Sequence, residues 1–367
     1  MLSRVQILIA ACLYYSGLLK LIYWWLRHSR QYLVILNYHR AAGGNLRRHL
    51  LYLSRHFRIL HLETALEELY TPRKGRLQIG DRRLPLVLTF DDGYYDSSVD
   101  AFSLACELHI PITIFLIPGY VGGGNSFWWL DRLVRFAQVD EAMFEGYAYR
   151  LDQQEERKAL AQAIDARFSD IVSEAEREEF LVSVHKVLAV PSSKAFKEEP
   201  VPLLNWAQVQ EMEESKWVSF GSHTMYHPIL ANLTDPCEVK REVVESREML
   251  EQRLGHPIRV FAYPYGKLEH IGNKGLIAVR QGEYDWALTT MPGFNTSRSD
   301  PYLLQRIFAD VSQHWLIIAM KMAGLGRILS LLRHIPPLLH LQHTCKIRKS
   351  RLGVPCLIDS GRLENPK

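Results

Sequence analysis

The sequence predicts an α/β fold of barrel type, with a helical insertion and apolar helical ends. Three observations lead there. Seven short apolar runs alternate with stretches of helical periodicity, and strand–helix alternation implies parallel strands. A long, charged, helix-patterned stretch interrupts this rhythm between the third and fourth runs. Polar side chains able to bind a metal or a proton recur at the ends of several runs, where a parallel α/β barrel collects its chemistry.

The runs place strands at 32–38 (YLVILNY), 86–90 (LVLTF), 112–117 (ITIFLI), 218–221 (VSFG), 260–263 (VFAY), 286–290 (WALTT) and 304–308 (LQRIF). Each is short and bounded by turn or breaker residues. Helices are expected at 46–57, 97–108, 206–214, 236–254 and 269–281. From about 131 to 188 the chain reads as helical, with Leu160, Ile164, Phe168 and Ile171 forming one apolar stripe. The Gly122–Gly124 triplet reads as a flexible loop at the mouth of this insertion.

The chain has 367 residues, enough for one large domain with appendages. It divides into an apolar segment at 1–30, a main domain at 31–312 with its insertion at about 131–200, and a basic, apolar tail at 313–367. Hydrophobic residues are 47% and charged residues 23%, the balance of a folded protein and not of a disordered one. Net charge is +4, unevenly spread: Lys321 to Arg351 holds seven Lys or Arg and no acid. That asymmetry points to an anionic surface or to a solvated tail. No aromatic–basic module accompanies it, which argues against nucleic acid. The cysteines at 12, 106, 237, 345 and 356 are odd in number and scattered, so neither a disulfide framework nor a thiolate zinc site is expected.

Residues 7–26 are nearly all apolar and long enough for a bilayer span; the run carries Tyr23, Trp24 and Trp25 near its end and is followed by Arg27, His28 and Arg30. The expectation is a membrane anchor, at a bacterial inner membrane with the main domain on the cytoplasmic face. A helix packed on the domain is the other reading. The 315–341 stretch, with Lys321, Arg327 and Arg333 among Leu, Ile and Met, fits an interfacial helix or a closing helix of the domain.

The second run ends in Asp91–Asp92–Gly93. Adjacent carboxylates on an extended chain point in different directions, so one can bind a metal while the other stays free as a base. The fourth run is followed by His223 and His227, which share one face if a helical turn begins there. With an Asp from another strand end they make a two-His, one-carboxylate set with positions open for water and substrate.

TFDDG at 89–93, SHTMYH at 222–227 and YPYG at 263–266 resemble, in order, the signature motifs of the polysaccharide deacetylase family, carbohydrate esterase family four. ILNYHR at 35–40, HIPITIF at 109–115 and NWAQVQEM at 205–212 are similar to the same family. The resemblance spans roughly Tyr32 to Asp310. It implies a distorted parallel (β/α) barrel that removes N-acetyl groups from the amino sugars of a polysaccharide. It also implies one divalent ion, zinc or another transition metal, on Asp92, His223 and His227, with Asp91 as general base. Tyr94, Pro264 and Tyr265 are the implied substrate and oxyanion contacts.

Two positions depart from the family pattern. Ala262 stands where an Arg usually orients the base, and Arg306 where a His usually serves as acid. Arg306 cannot donate a proton usefully near neutrality; the expectation is that it orients Asp91, with His39 as candidate acid. O-deacetylation, another amidohydrolase reaction, a non-catalytic glycan-binding role and a membrane scaffold carrying the barrel remain open at this point.

Overall fold

The computed structural model describes residues 2–29, 32–71, 81, 83–122, 134, 137–169, 171, 173–190 and 203–326. Ten strands occur among them: β1 Val34–Tyr38, β2 Phe57–Ile59, β3 Leu84–Phe90, β4 Ile112–Leu116, β5 Glu141–Phe144, β6 Tyr147–Arg150, β7 Val218–Ser222, β8 Val260–Ala262, β9 Trp286–Leu288 and β10 Ile307–Phe308. Eight form one parallel sheet in the order β10-β1-β3-β4-β7-β8-β9, with β2 also pairing with β3. Leu304, just before β10, bridges to Leu288 of β9 in parallel, through Thr289 N–H to Leu304 O at 2.8 Å. The sheet therefore curls towards closure, a distorted parallel (β/α) barrel with helices around it.

The strands are apolar in both alternating positions because both faces are covered. Leu36, Leu86, Leu88 and Ile114 join the layer beneath the helices. Ile35, Val87, Phe115, Ala262, Leu288 and Leu304 fill the inside of the curl. The Leu62–Tyr70 helix packs on that inner cluster through Leu62, Ala65, Leu66 and Leu69. Period-two alternation continues the inner rows into polar residues: Asn37 follows Ile35, Thr89 and Asp91 follow Val87, and Arg306 follows Leu304. These rows meet because β1 pairs Asn37 with Thr89 on one side and Phe308 on the other.

Helix boundaries follow local chemistry. Asn205 and Gln208 form a reciprocal capping box at the start of Trp206–Glu214. Asp235 caps Pro236–Leu254, which ends on Gly255 at φ 79°. The Ser97–Leu108 stretch is a π-turn over Ser97–Phe102 running into an α-helix over Ser103–Leu108.

The insertion corrects one expectation. It holds two helices, Gln154–Ser169 and Glu174–Val187, but β5 and β6 precede them as an antiparallel hairpin. Glu145 and Gly146 turn it with φ of 48° and 83°, as a two-residue hairpin loop requires. Leu160, Ile164, Phe168 and Ile171 are buried in the insertion's own core, as their stripe predicts. Gly123 and Gly124 of the glycine triplet lie outside the described residues.

The N-terminal apolar run is not one helix. Gly17, at φ 80°, separates Leu2–Tyr15 from Leu18–Ser29. No single described helix is long and apolar enough to cross a membrane; the pair Arg4–Tyr15 and Leu18–His28 passes by length and composition only, bent by 66°. At the other end, the Trp315–Met322 helix is buried along most of its length and closes the barrel's outer layer. Residues 327–341 of the expected C-terminal stretch lie outside the described residues. The described cysteines, Cys12, Cys106 and Cys237, are free.

Candidate active site

The ends of β1, β3, β7, β8 and β10 converge on a cleft of about 420 Å³. Its lining includes Asn37, His39, Asp91, Asp92, Tyr94, His223, His227, Tyr263, Tyr265 and Arg306. Every site residue expected from the sequence lies here except Pro264, which is buried between Tyr263 and Tyr265.

Asp91 is 1% exposed and held on several sides. Arg306, equally buried, reaches it with both terminal nitrogens: Nη1 donates to Oδ1 at 2.7 Å and Nη2 to Oδ2 at 2.8 Å. Asn37 Nδ2 donates to Oδ2 at 3.1 Å. Arg306 is itself fixed by Nε–H to Thr289 O at 2.8 Å, with Thr89 Oγ1 at 3.3 Å from Nη1. Three donors occupy a carboxylate with about four acceptor positions, so roughly one remains for a proton. Burial alone would raise this carboxyl; the charges of Arg306, His223 and His39 outweigh it and hold Asp91 well below the ordinary carboxylate range.

Asp92 turns the other way because the chain enters the left-handed region there, at φ 75°. Gly93 follows at φ 66°, where an added Cβ would sit 2.7 Å from Leu116 Cδ2. Asp92 Oδ1 lies 3.4 Å from His223 Nε2 and 3.5 Å from His227 Nε2. His223 Nδ1 donates to Ala262 O at 2.7 Å; a carbonyl only accepts, so in the neutral ring Nε2 carries the lone pair and faces Asp92. Asp92 Oδ1 is buried with no hydrogen-bond donor. Three potential ligand atoms thus converge on one point, an arrangement suited to a cation.

The dimensions suit one. Ligand atoms about 2.0–2.1 Å from a tetrahedral zinc ion lie about 3.3–3.4 Å from each other. Among the described residues, Asp92, His223 and His227 form the one group of three His, Cys, Asp or Glu with ligand atoms within 4.8 Å of one another. Burial and the neighbouring His223 push His227 down to about 3, keeping it neutral as a ligand must be. Burial would also lower His223, but Asp92 and Asp91 outweigh it and raise it. The site therefore draws positive charge to the point where a metal would sit.

The histidines do not share a helical turn. Residues 223–228 form an irregular loop after β7, with Thr224 at φ 63° and His227 at φ 59°. Glu242, buried on the Pro236–Leu254 helix, pins this loop: its Oε2 accepts from Tyr226 N–H at 2.8 Å and its backbone O from Met225 N–H at 3.0 Å. Thr224 Oγ1 accepts from His227 N–H at 2.9 Å. Four of the nine non-glycine residues with positive φ among the described residues are Asp92, Thr224, His227 and Tyr265. Backbone strain concentrates at sites whose geometry the surroundings over-determine.

Sequence reasoning missed Asn37 as a partner of Asp91, Glu242 as the loop's anchor, and Asp165, which the insertion's Gln154–Ser169 helix brings to the cleft. Inward alternation from Ile35 would have found Asn37. Nothing local marks the other two.

The fold resembles IcaB from Ammonifex degensii, with a TM-score of 0.51 and 18% identity over 81% of this chain and 97% of that one. It also resembles the Streptococcus pyogenes deacetylase PplD, solved in complex with acetate, with a TM-score of 0.51 and 15% identity over 80% and 99%. A polysaccharide deacetylase from Bacillus cereus gives a TM-score of 0.50 and 16% identity over 80% and 69%. At these identities the likeness shows the fold. No curated protein sequence matches this one. The family profile described as polysaccharide deacetylase matches residues 81–275, just over half the chain and the stretch that carries Asp91, Asp92, His223 and His227. With the barrel, the motif order and this profile in agreement, the chain belongs to the polysaccharide deacetylase family and to that class of enzyme.

Proposed function

We propose that the chain removes N-acetyl groups from amino-sugar units of a polysaccharide in a metal-dependent hydrolysis. One observation carries the reading: three convergent, buried ligand atoms of Asp92, His223 and His227 stand beside a second carboxylate, Asp91, that is clamped but keeps an acceptor position.

Asp92, His223 and His227 would hold one divalent ion, zinc by donor type and spacing. When bound, such an ion polarises an acetyl carbonyl and lowers the pKa of a water molecule. Asp91 accepts the proton of the attacking water. Its ion pair with Arg306 keeps it ionised and fixes its direction, so the role that the family gives to an Arg at the Ala262 position is served from β10's approach instead. Water oxygen bonds to the acetyl carbon, the carbon–nitrogen bond breaks, and acetate and a free amine result. Backbone N–H groups of Tyr94 and Tyr265, both in the cleft lining, are the proposed donors to the developing oxyanion. His39 lines the same cleft, with Nδ1 buried and without a hydrogen-bond partner; its ring is the proposed proton donor to the leaving amine.

The test is acetate release by the full chain from N-acetylated glucosamine oligomers and from O-acetylated sugars of matched length. Release from the amide with new primary amine in equal amount is expected. Release from the ester alone would make the chain an O-deacetylase, and tight glycan binding with no acetate from either would make it a non-catalytic member.

A further inference from the structure

The bent N-terminal helix pair is apolar on two sides, and only one of them is used by the fold. On the inner side Ala10, Leu19, Tyr23 and Leu26 are buried in the main core. Tyr23 is pinned there: its hydroxyl donates to Ala319 O at 2.6 Å and sits 3.0 Å from Tyr52 Oη, with its ring 5.2 Å from that of Phe57. On the outer side Val5, Leu8, Tyr15, Leu18, Leu21, Trp24 and Trp25 are exposed. These are seven of the fifteen exposed large apolar side chains among the described residues, so nearly half of the bare apolar side chains described there lie on one feature. In the second helix the two sides interleave: Leu19, Tyr23 and Leu26 face in, while Leu18, Leu21 and Trp25 face out. The helix thus carries an apolar strip on its outer side that the fold leaves uncovered.

Charge identifies the cover. No Asp or Glu occurs before Glu63, whereas Lys and Arg occur nine times in the same stretch. Arg4, Lys20, Arg27 and His28 are exposed on the helix pair itself. An apolar surface with two tryptophans, rimmed by cations and free of acids, matches the boundary between acyl chains and anionic headgroups. A bilayer span would require the pair to straighten from its 66° bend and to withdraw Leu19, Tyr23 and Leu26 from the core. We propose that the pair lies in the plane of an anionic lipid surface, holding the barrel against one leaflet without crossing it.

The experiment uses the full chain, tagged at its N-terminus, with phosphatidylcholine vesicles containing or lacking phosphatidylglycerol. Flotation is expected with the anionic vesicles and to weaken in high salt. Brominated lipid should quench tryptophan emission, and a W24F/W25F variant should lose most of that quenching. The L21S/W24S/W25S variant alters exposed side chains only. It should bind at least about tenfold more weakly while keeping its circular dichroism and melting temperature. The tag should stay open to protease added outside. Flotation that ignores the serine substitutions, or no flotation, would overturn the proposal. A protected tag would mean a span, and a dimer in lipid-free solution that the same substitutions dissociate would mean that a second copy covers the face; either also overturns it.

Discussion

Asp91→Asn is expected to lower turnover on the order of 10²- to 10⁴-fold, the range for loss of a general base, while leaving metal content unchanged. The proposed metal ligands come from Asp92 and the 223–227 loop, and neither hydrogen-bonds to Asp91. The amide cannot take up the water's proton. It also places an NH₂ or a neutral oxygen against Arg306, so the variant gives up a bidentate ion pair with both partners 1% exposed. Some stability is therefore lost together with activity, and turnover is to be measured per folded chain, with metal analysis on the same sample. Near-wild-type turnover would place the base elsewhere.

Arg306→Ala has the second large effect and two separable consequences. Removing one partner of a buried pair leaves an uncompensated charge and costs about 3–5 kcal/mol, to be read from denaturant unfolding. Burial raises the Asp91 carboxyl, and Arg306 leads the charges that bring it below the ordinary range. A depressed carboxyl stabilises the fold above its unfolded pKa of about 3.9, and that contribution is lost as pH falls through the folded value. Without Arg306, burial loses its largest opponent while Asn37 still donates to the carboxylate, so the carboxyl titrates at higher pH and the acidic limb of the rate profile moves up with it. Arg306→Lys keeps the charge without the two-pronged contact and should fall between wild type and alanine on both readouts. An acidic limb that stays in place with metal saturating would reduce Arg306 to a structural role.

The pairing of Arg306 with Asp91 shows what a sequence can and cannot disclose. The departure at Ala262 and the arginine at 306 are both visible as residues, and inward alternation on β3 and before β10 is a period-two pattern. What brings them within 2.7 Å is the β10–β1–β3 register, a property of pairing between segments far apart in the chain. The long apolar strands were legible for the same reason that they are buried on both faces. β2 was not, because three residues, Phe-Arg-Ile, are too few to show a period. The β5–β6 hairpin reads as helix because its charged neighbours carry helical spacing, although Glu145–Gly146 between alternating residues is a turn signal. The Leu62–Tyr70 helix, with four buried residues, is short enough to be taken for a connection.

The histidine pair failed differently. A spacing of four predicts a shared helical face, but the chain brings the two rings to one point through left-handed residues at 224 and 227. Glu242, far along the sequence, fixes that loop. The spacing points to two rings that do converge, by way of the wrong local structure.

Metal content measured beside acetate release decides whether Asp92, His223 and His227 hold an ion on which deacetylation depends. The full chain is expected to carry one divalent ion per molecule and to lose both ion and acetate release to a chelator. Added zinc or another divalent transition metal should restore them together. His223→Ala and His227→Ala should each strip most of the metal, since a three-ligand site loses a third of its anchoring. Full occupancy in the His227→Ala protein, or acetate release undiminished in the metal-free wild type, would contradict the account.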